Sequence, residues 1–311
     1  MNQHYKGIIY AFIAYLLWGV LPIYWKLVEY VSPLEILAHR IIWSFITITF
    51  FVILSKKWNS FISLCKELLT NRKKLFALIL AALLISGNWF IYIWAVNSNH
   101  IIEASLGYYI NPLVSILLGV FVLKERLSIW QLTAVVIAFI GVIYLTVNFG
   151  KFPFISFLLA ITFALYALLK KMINLDATFS LLLETAVVFP IALIYFGKLA
   201  VSGHSGFING SLIEIPLLIG AGIATILPLL YFGKAAQLIP LSYIGIMQYI
   251  APTISLIIGT LLYHEKFTKT HLISFLFIWT ACILFAFAKT KTLQKLEMRI
   301  FHKKENQNQS A

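Results

Sequence analysis

His39 and Arg40 lie about two turns inside an otherwise apolar stretch, 34–54, and Glu184 lies well inside another, 179–196. An ionisable group away from water is costly unless something compensates it, so each is a candidate functional residue. When the two stretches are laid on each other with a shift of 144 residues, Arg40 falls on Glu184. The expectation is that these two face a common cavity. There they either pair with each other, locking two parts of the chain together, or bind opposite charges on a solute. Glu184 is also a candidate proton carrier. Amides and aromatics recur in neighbouring apolar runs: Trp18, then Asn88, Trp89 and Tyr92, then Tyr108, Tyr109 and Asn111, and finally Gln248 and Tyr249. Asn88 and Tyr92, four apart, share a helix face. Aromatic walls with a few amides suit a ligand cavity, although each residue taken singly also fits ordinary packing. Trp25 and Tyr30, near a run's end, read as interfacial belt aromatics.

Helices in a bilayer must position these residues. The chain of 311 residues is 61% hydrophobic and 11% charged, far more apolar than a single water-soluble core requires. Ten apolar runs occur, over 7–27, 34–54, 75–96, 104–123, 129–147, 153–169, 179–196, 215–232, 241–262 and 272–288. A run of ~20 apolar residues crosses ~30 Å of hydrocarbon as a helix. The first run is span-length and lacks a small-residue cleavage motif, so it is expected to remain as the first helix.

The net charge of +13 is distributed as a topology signal. Among the connections on one side fall only Lys26, Lys151, Lys198, Lys266 and Lys269. Apart from Arg40, every other Lys and Arg falls on the opposite side, which the positive-inside bias makes cytoplasmic, both termini included. No basic stripe interleaves with aromatics, so nucleic acid is not an expected partner. Lys170 and Lys171 are accounted for as part of this signal. The segment 56–74 carries Trp58, Phe61, Ile62, Cys65, Leu68 and Leu69 on one helical face and reads as a helix lying in the inner interface. Ser128 followed by Gln131 resembles a capping box.

The chain also repeats itself. With a shift of 140 residues, Tyr109, Ile110, Pro112, Ser115, Gly119 and Glu125 fall on Tyr249, Ile250, Pro252, Ser255, Gly259 and Glu265 without a gap. Each half holds five spans, an odd number, so the second half enters the membrane inverted. The expected fold is all-α and polytopic: ten transmembrane helices as an inverted repeat, with halves 1–150 and 151–289 and a basic tail 290–311. Such carriers place their site near the midplane between halves. Pro112 and Pro252 are expected to kink matched helices, either framing that site or only shaping packing. Glu125 and Glu265 are expected to act structurally at the helix junctions.

The segments LEILAHRIIWS (34–44), GNWFIYIWAVN (87–97), EASLGYYINPLVS (103–115), LLLET (181–185) and LSYIGIMQYIAPT (241–253) resemble the RarD branch of the EamA family, in the drug/metabolite transporter superfamily. The resemblance runs from about Gly7 to about Lys289. It implies ten helices around a central cavity and a permease of the inner membrane linked by name to chloramphenicol sensitivity. A small-molecule substrate and the lipid bilayer are the partners it implies. The expected activity is passage of a small organic solute by alternating access, as a monomer or homodimer, with energy from protons or exchange. Cofactor and metal are not expected. His100, His204, His264 and His271 lack ligand spacing, and Cys65 and Cys282 do not suggest a pair. An intramembrane enzyme is the rival class, but no HExxH, GxSxG or P-loop occurs; Gly203–His204–Ser205–Gly206 is only a fragment of an elbow. A non-transporting structural membrane protein would not need matched prolines and polar groups within spans.

Overall fold

The computed structural model describes residues 2–98, 100–203, 205–210, 213–264, 268–290 and 292–297. Asn99, His204, Glu265 and the tail beyond residue 297 lie outside the described residues. Twelve helices follow in order: α1 (Gln3–Leu27), α2 (Pro33–Leu54), α3 (Trp58–Thr70), α4 (Arg72–Asn97), α5 (Ile101–Phe121), α6 (Ile129–Phe149), α7 (Phe154–Ile173), α8 (Ala177–Val201), α9 (Glu214–Leu238), α10 (Leu241–Met247), α11 (Ile250–Leu262) and α12 (Lys269–Phe287). Ten segments among them are long and apolar enough to span a membrane, α10 and α11 together forming the ninth.

Several helices overrun the apolar runs because their ends are capped rather than merely apolar. Asn2 accepts the His4 amide at the start of α1, and the Asp176 carboxylate accepts the amides of Thr178 and Phe179 at the start of α8. Amphipathic α3 turns Phe61 and Leu68 inward and leaves Trp58, Ile62 and Leu69 exposed, so the expected single apolar face is divided between protein and surroundings.

The packing pattern is unchanged when the two halves are exchanged. Helix α1 packs on α9, and its counterpart α7 packs on α4; α2 packs on α9, and α8 on α4; α5 packs on α7, and α11 on α1. The remaining large contacts join equivalent helices: α2 with α8, α5 with α10, and α6 with α12. Local geometry repeats as well. Lys124 and His264, 140 residues apart, both take left-handed backbone, with φ of 55° and 53°. Ser128 and Thr268, again 140 apart, each open the next helix with a full capping box. These features are what the expected inverted repeat requires.

The halves approach closely through small residues, the usual route to tight helix contact in lipid. A Cβ on Gly222 of α9 would stand 2.4 Å from the Trp43 backbone carbon of α2. Where α10 crosses α5, a Cβ on Gly245 would stand 2.8 Å from the Pro112 carbonyl oxygen.

The two prolines behave differently. Helix α5 continues through Pro112. The ninth span breaks at Gln248–Tyr249, just ahead of Pro252. Proline has no N–H to offer the carbonyl four residues back, and that carbonyl, of Gln248, instead accepts from the Ala251 amide at 3.3 Å. A discontinuous span is thus found in one half and a continuously helical one in the other.

Candidate functional site

Arg40 projects from α2 into the space among α1, α4, α5 and α9. Its guanidinium carbon lies 4.7 Å from the Trp25 ring centroid and 4.6 Å from that of Trp89. Its Nε donates to Thr225 Oγ1 at 3.0 Å. Thr225 gives its own hydrogen to the Ala221 carbonyl, so its oxygen can only accept from Arg40. Tyr92 and Tyr108 stand within electrostatic range of the guanidinium, their rings 5.7 Å apart and edge to face. Among the described residues Arg40 has no carboxylate partner within 4 Å. Cation–π contact contributes about 2 kcal/mol at a desolvated site. An arginine at a span's centre costs about 2.5–3.5 kcal/mol on the insertion scale, an upper bound for Arg40 two turns into α2. Two indole faces therefore make Arg40 tolerable without neutralising it.

Glu184 is not its partner. The carboxylate of Glu184 is buried on α8, where Lys170 Nζ donates to Oε1 at 2.7 Å, Ser180 Oγ to the same oxygen at 2.6 Å, and Tyr166 Oη to Oε2 at 3.1 Å. Lys170 also donates to Ser180 Oγ at 2.8 Å, closing the network. The alignment that set Arg40 against Glu184 finds equivalent positions, but each side chain turns to its own neighbours. Of the two expected alternatives, this removes pairing of Arg40 with Glu184. It also corrects Lys170, which is a buried member of an ion pair rather than a topology residue at the membrane surface. Its neighbour Lys171 reaches the Ala236 and Ile239 carbonyls, completing the orphan acceptors at the C-terminus of α9. A small void between α2, α4, α8 and α9 touches both groups of residues, with Trp89 and Glu184 among its lining.

The other expected cavity residues divide. Tyr92 and Tyr108 belong with Arg40, and Tyr108 is 49% exposed. Asn88 donates to the Leu159 carbonyl and to Thr162 Oγ1, both at 2.8 Å, and ties α4 to α7 instead of lining the Arg40 space. Trp18 packs against Tyr15, Phe163 and Phe232 in an aromatic cluster. Asn111, Ser115 and Gln248 form a buried polar chain across the halves: Ser115 Oγ donates to Asn111 Oδ1 at 3.3 Å, and Gln248 Nε2 to Ser115 Oγ at 3.2 Å. Tyr109 meets Phe275, and its carbonyl accepts from Tyr249.

Glutamates fasten the helix junctions. Glu125 accepts the Leu241 and Ser242 amides at 2.6 and 2.9 Å, closing the N-terminus of α10 as expected of a junction residue. Its counterpart Glu265 lies outside the described residues. At the opposite end of the bundle, Glu103 accepts the Ile155 amide at the start of α7, and buried Glu35 accepts from Ser205 Oγ and the Gly206 and Phe207 amides. Glu35, Tyr166, Ser180 and Thr225 escaped the sequence reading, and Trp25, read as a belt aromatic, stands against Arg40. The four-residue Ser180–Glu184 spacing was the one available signal, since Thr225 and Trp25 reach Arg40 from distant parts of the chain.

This arrangement sets a cation and aromatic faces where two halves of a bilayer-spanning bundle meet. It defines a polytopic membrane transporter. The model of the EamA-like transporter family matches residues 5–147. The chain is 46% identical to an uncharacterized transporter, YojE, of Bacillus subtilis over 289 residues, 92% of this chain and 95% of that protein. It is 41% identical to the protein RarD of Escherichia coli over 284 residues, 91% of this chain and 95% of that one. A solved crystal structure with 15% identity superposes with a TM-score of 0.69, covering 90% of this chain and 97% of the other, which shows the shared fold. The chain belongs to the EamA-like transporter family, as a RarD-like permease.

Proposed function

We propose that the protein is a secondary transporter that passes a small organic metabolite or drug-like solute across the bacterial inner membrane by alternating access. The supporting observation is Arg40, a cation within a span, flanked by aromatic faces and with no carboxylate within 4 Å among the described residues, at a place where helices of both halves meet. The halves 1–150 and 151–289 are the moving units, and both termini lie in the cytoplasm. Exchange-symmetric packing supports this, because two similar halves can form two similar arrangements, each open to one side. The full hydrogen-bond complement of Glu184 favours exchange of one solute for another over proton coupling through that carboxylate.

Single-cysteine accessibility tests the mechanism. With Cys65 and Cys282 replaced, Tyr108→Cys should react with an impermeant maleimide from outside in cells and from inside in inverted vesicles. Reaction from one side alone, under every solute condition tried, contradicts alternating access.

A further inference from the structure

We infer that Arg40 and the rings around it take the carboxylate of a small organic monoanion with a flat or apolar body; this rests on the transporter reading and names its class of substrate. The guanidinium commits Nε to Thr225, which leaves the edge formed by its two terminal nitrogens. Those nitrogens have no acceptor among the described residues. That edge presents two parallel N–H groups, the geometry that receives a carboxylate through two hydrogen bonds.

Charge accounting around Arg40 sets the solute's own charge. Lys170, buried within the spans, is neutralised by Glu184. Lys26, at the end of α1, pairs with Glu29 at 2.5 Å. Arg40 is thus a cation within a span with no carboxylate within 4 Å among the described residues, and a single carboxylate on the solute matches its one charge, which a phosphate dianion would exceed. The same accounting excludes an amino-acid zwitterion. The Glu184 carboxylate is occupied by Lys170, Ser180 and Tyr166, and that of Glu35 by Ser205 and the amides of Gly206 and Phe207, so neither is offered to an ammonium group. The walls select the rest of the molecule. Trp25, Trp89, Tyr92 and Tyr108 offer ring surface, and the half-exposed Tyr108 is a face without full cover from the protein.

Purified protein in detergent tests this with tryptophan fluorescence and thermal shift, since Trp25 and Trp89 would report directly. The probes are benzoate and phenylacetate, their neutral amides, phenyl phosphate, phenylalanine and benzyltrimethylammonium. The two carboxylates should give a saturable response at least tenfold tighter than any other probe. Arg40→Gln should weaken them at least tenfold, and Arg40→Lys, which keeps the charge but loses the fork, should fall between. Amides that bind as well as the acids, phenyl phosphate or phenylalanine binding more tightly, or no saturable response to either carboxylate would each overturn the inference. If Arg40→Gln does not fold, the contrast of acid with amide on the unaltered protein decides alone. The two readings fail separately. Carboxylate binding without flux in proteoliposomes removes the transport reading and leaves this one; flux of a neutral solute indifferent to Arg40→Gln does the reverse.

Discussion

Tyr249 donates its phenolic hydrogen to the backbone carbonyl of Tyr109 at 3.2 Å, and these two residues are the ones that coincide when the chain is shifted by 140 positions. A residue that touches its own repeat equivalent sits at the seam where the halves meet. The contact is one-sided, since the Tyr109 ring turns to Phe275 while Tyr249 is buried beside the break in the ninth span. The halves share a plan and differ at its centre. The proposed alternating access would have to repack this seam.

The buried pair of Lys170 and Glu184 gives a stability prediction. Lys170→Met alone strands a buried carboxylate and should cost about 3–5 kcal/mol. Adding Glu184→Leu should recover most of that loss. The unfolding midpoints of the detergent-solubilised variants measure both effects, and strictly additive losses would show that the two charges do not act as a pair.

The Glu125 carboxylate caps α10 by accepting two amides, at Leu241 and Ser242. Glu125→Ala should cost about 1–2 kcal/mol, the range of a lost helix cap. Glu125→Gln, which keeps one acceptor, should lie between the two. Hydrogen exchange should accelerate first at those two amides. Unchanged protection there would remove the capping role.

Contacts between loops sort them into two ends. Glu125 and Lys171 join the 122–128 and 170–176 connections to the α9–α10 corner, while Glu35 joins the start of α2 to residues 205–207. Reporter fusions should follow this sorting: after Lys124 a cytoplasmic signal, after Lys151 an external one. The same location for both would contradict the ten-span topology.

The spans, the amphipathic α3 and the repeat were legible because each follows from a one-dimensional pattern: hydropathy, helical period and self-similarity. The Ser128 capping box was legible for the same reason, being local. Its counterpart at Thr268 was less so, because His271 replaces glutamine there while keeping an acceptor nitrogen at the same spacing. Arg40, Trp89, Tyr92 and Tyr108 could be singled out by type, and they do come together. Arg40 and Glu184 could not be kept apart by sequence, because equivalent helix positions say nothing about which way a long side chain turns. Lys170 was misread for a physical reason as well. A lysine at a helix end normally reaches water, and only the α7–α8 fold, which brings Ser180 and Glu184 beside it, turns this one inward.

A solute should pass through this protein. The direct test loads proteoliposomes with an isotopically labelled bacterial metabolite extract, places the unlabelled extract outside, with and without a pH gradient, and follows each labelled compound by mass spectrometry. At least one small organic acid should leave the vesicles only when the protein is present, with the loss abolished in Arg40→Gln. No protein-dependent flux of any compound under either condition would contradict the account.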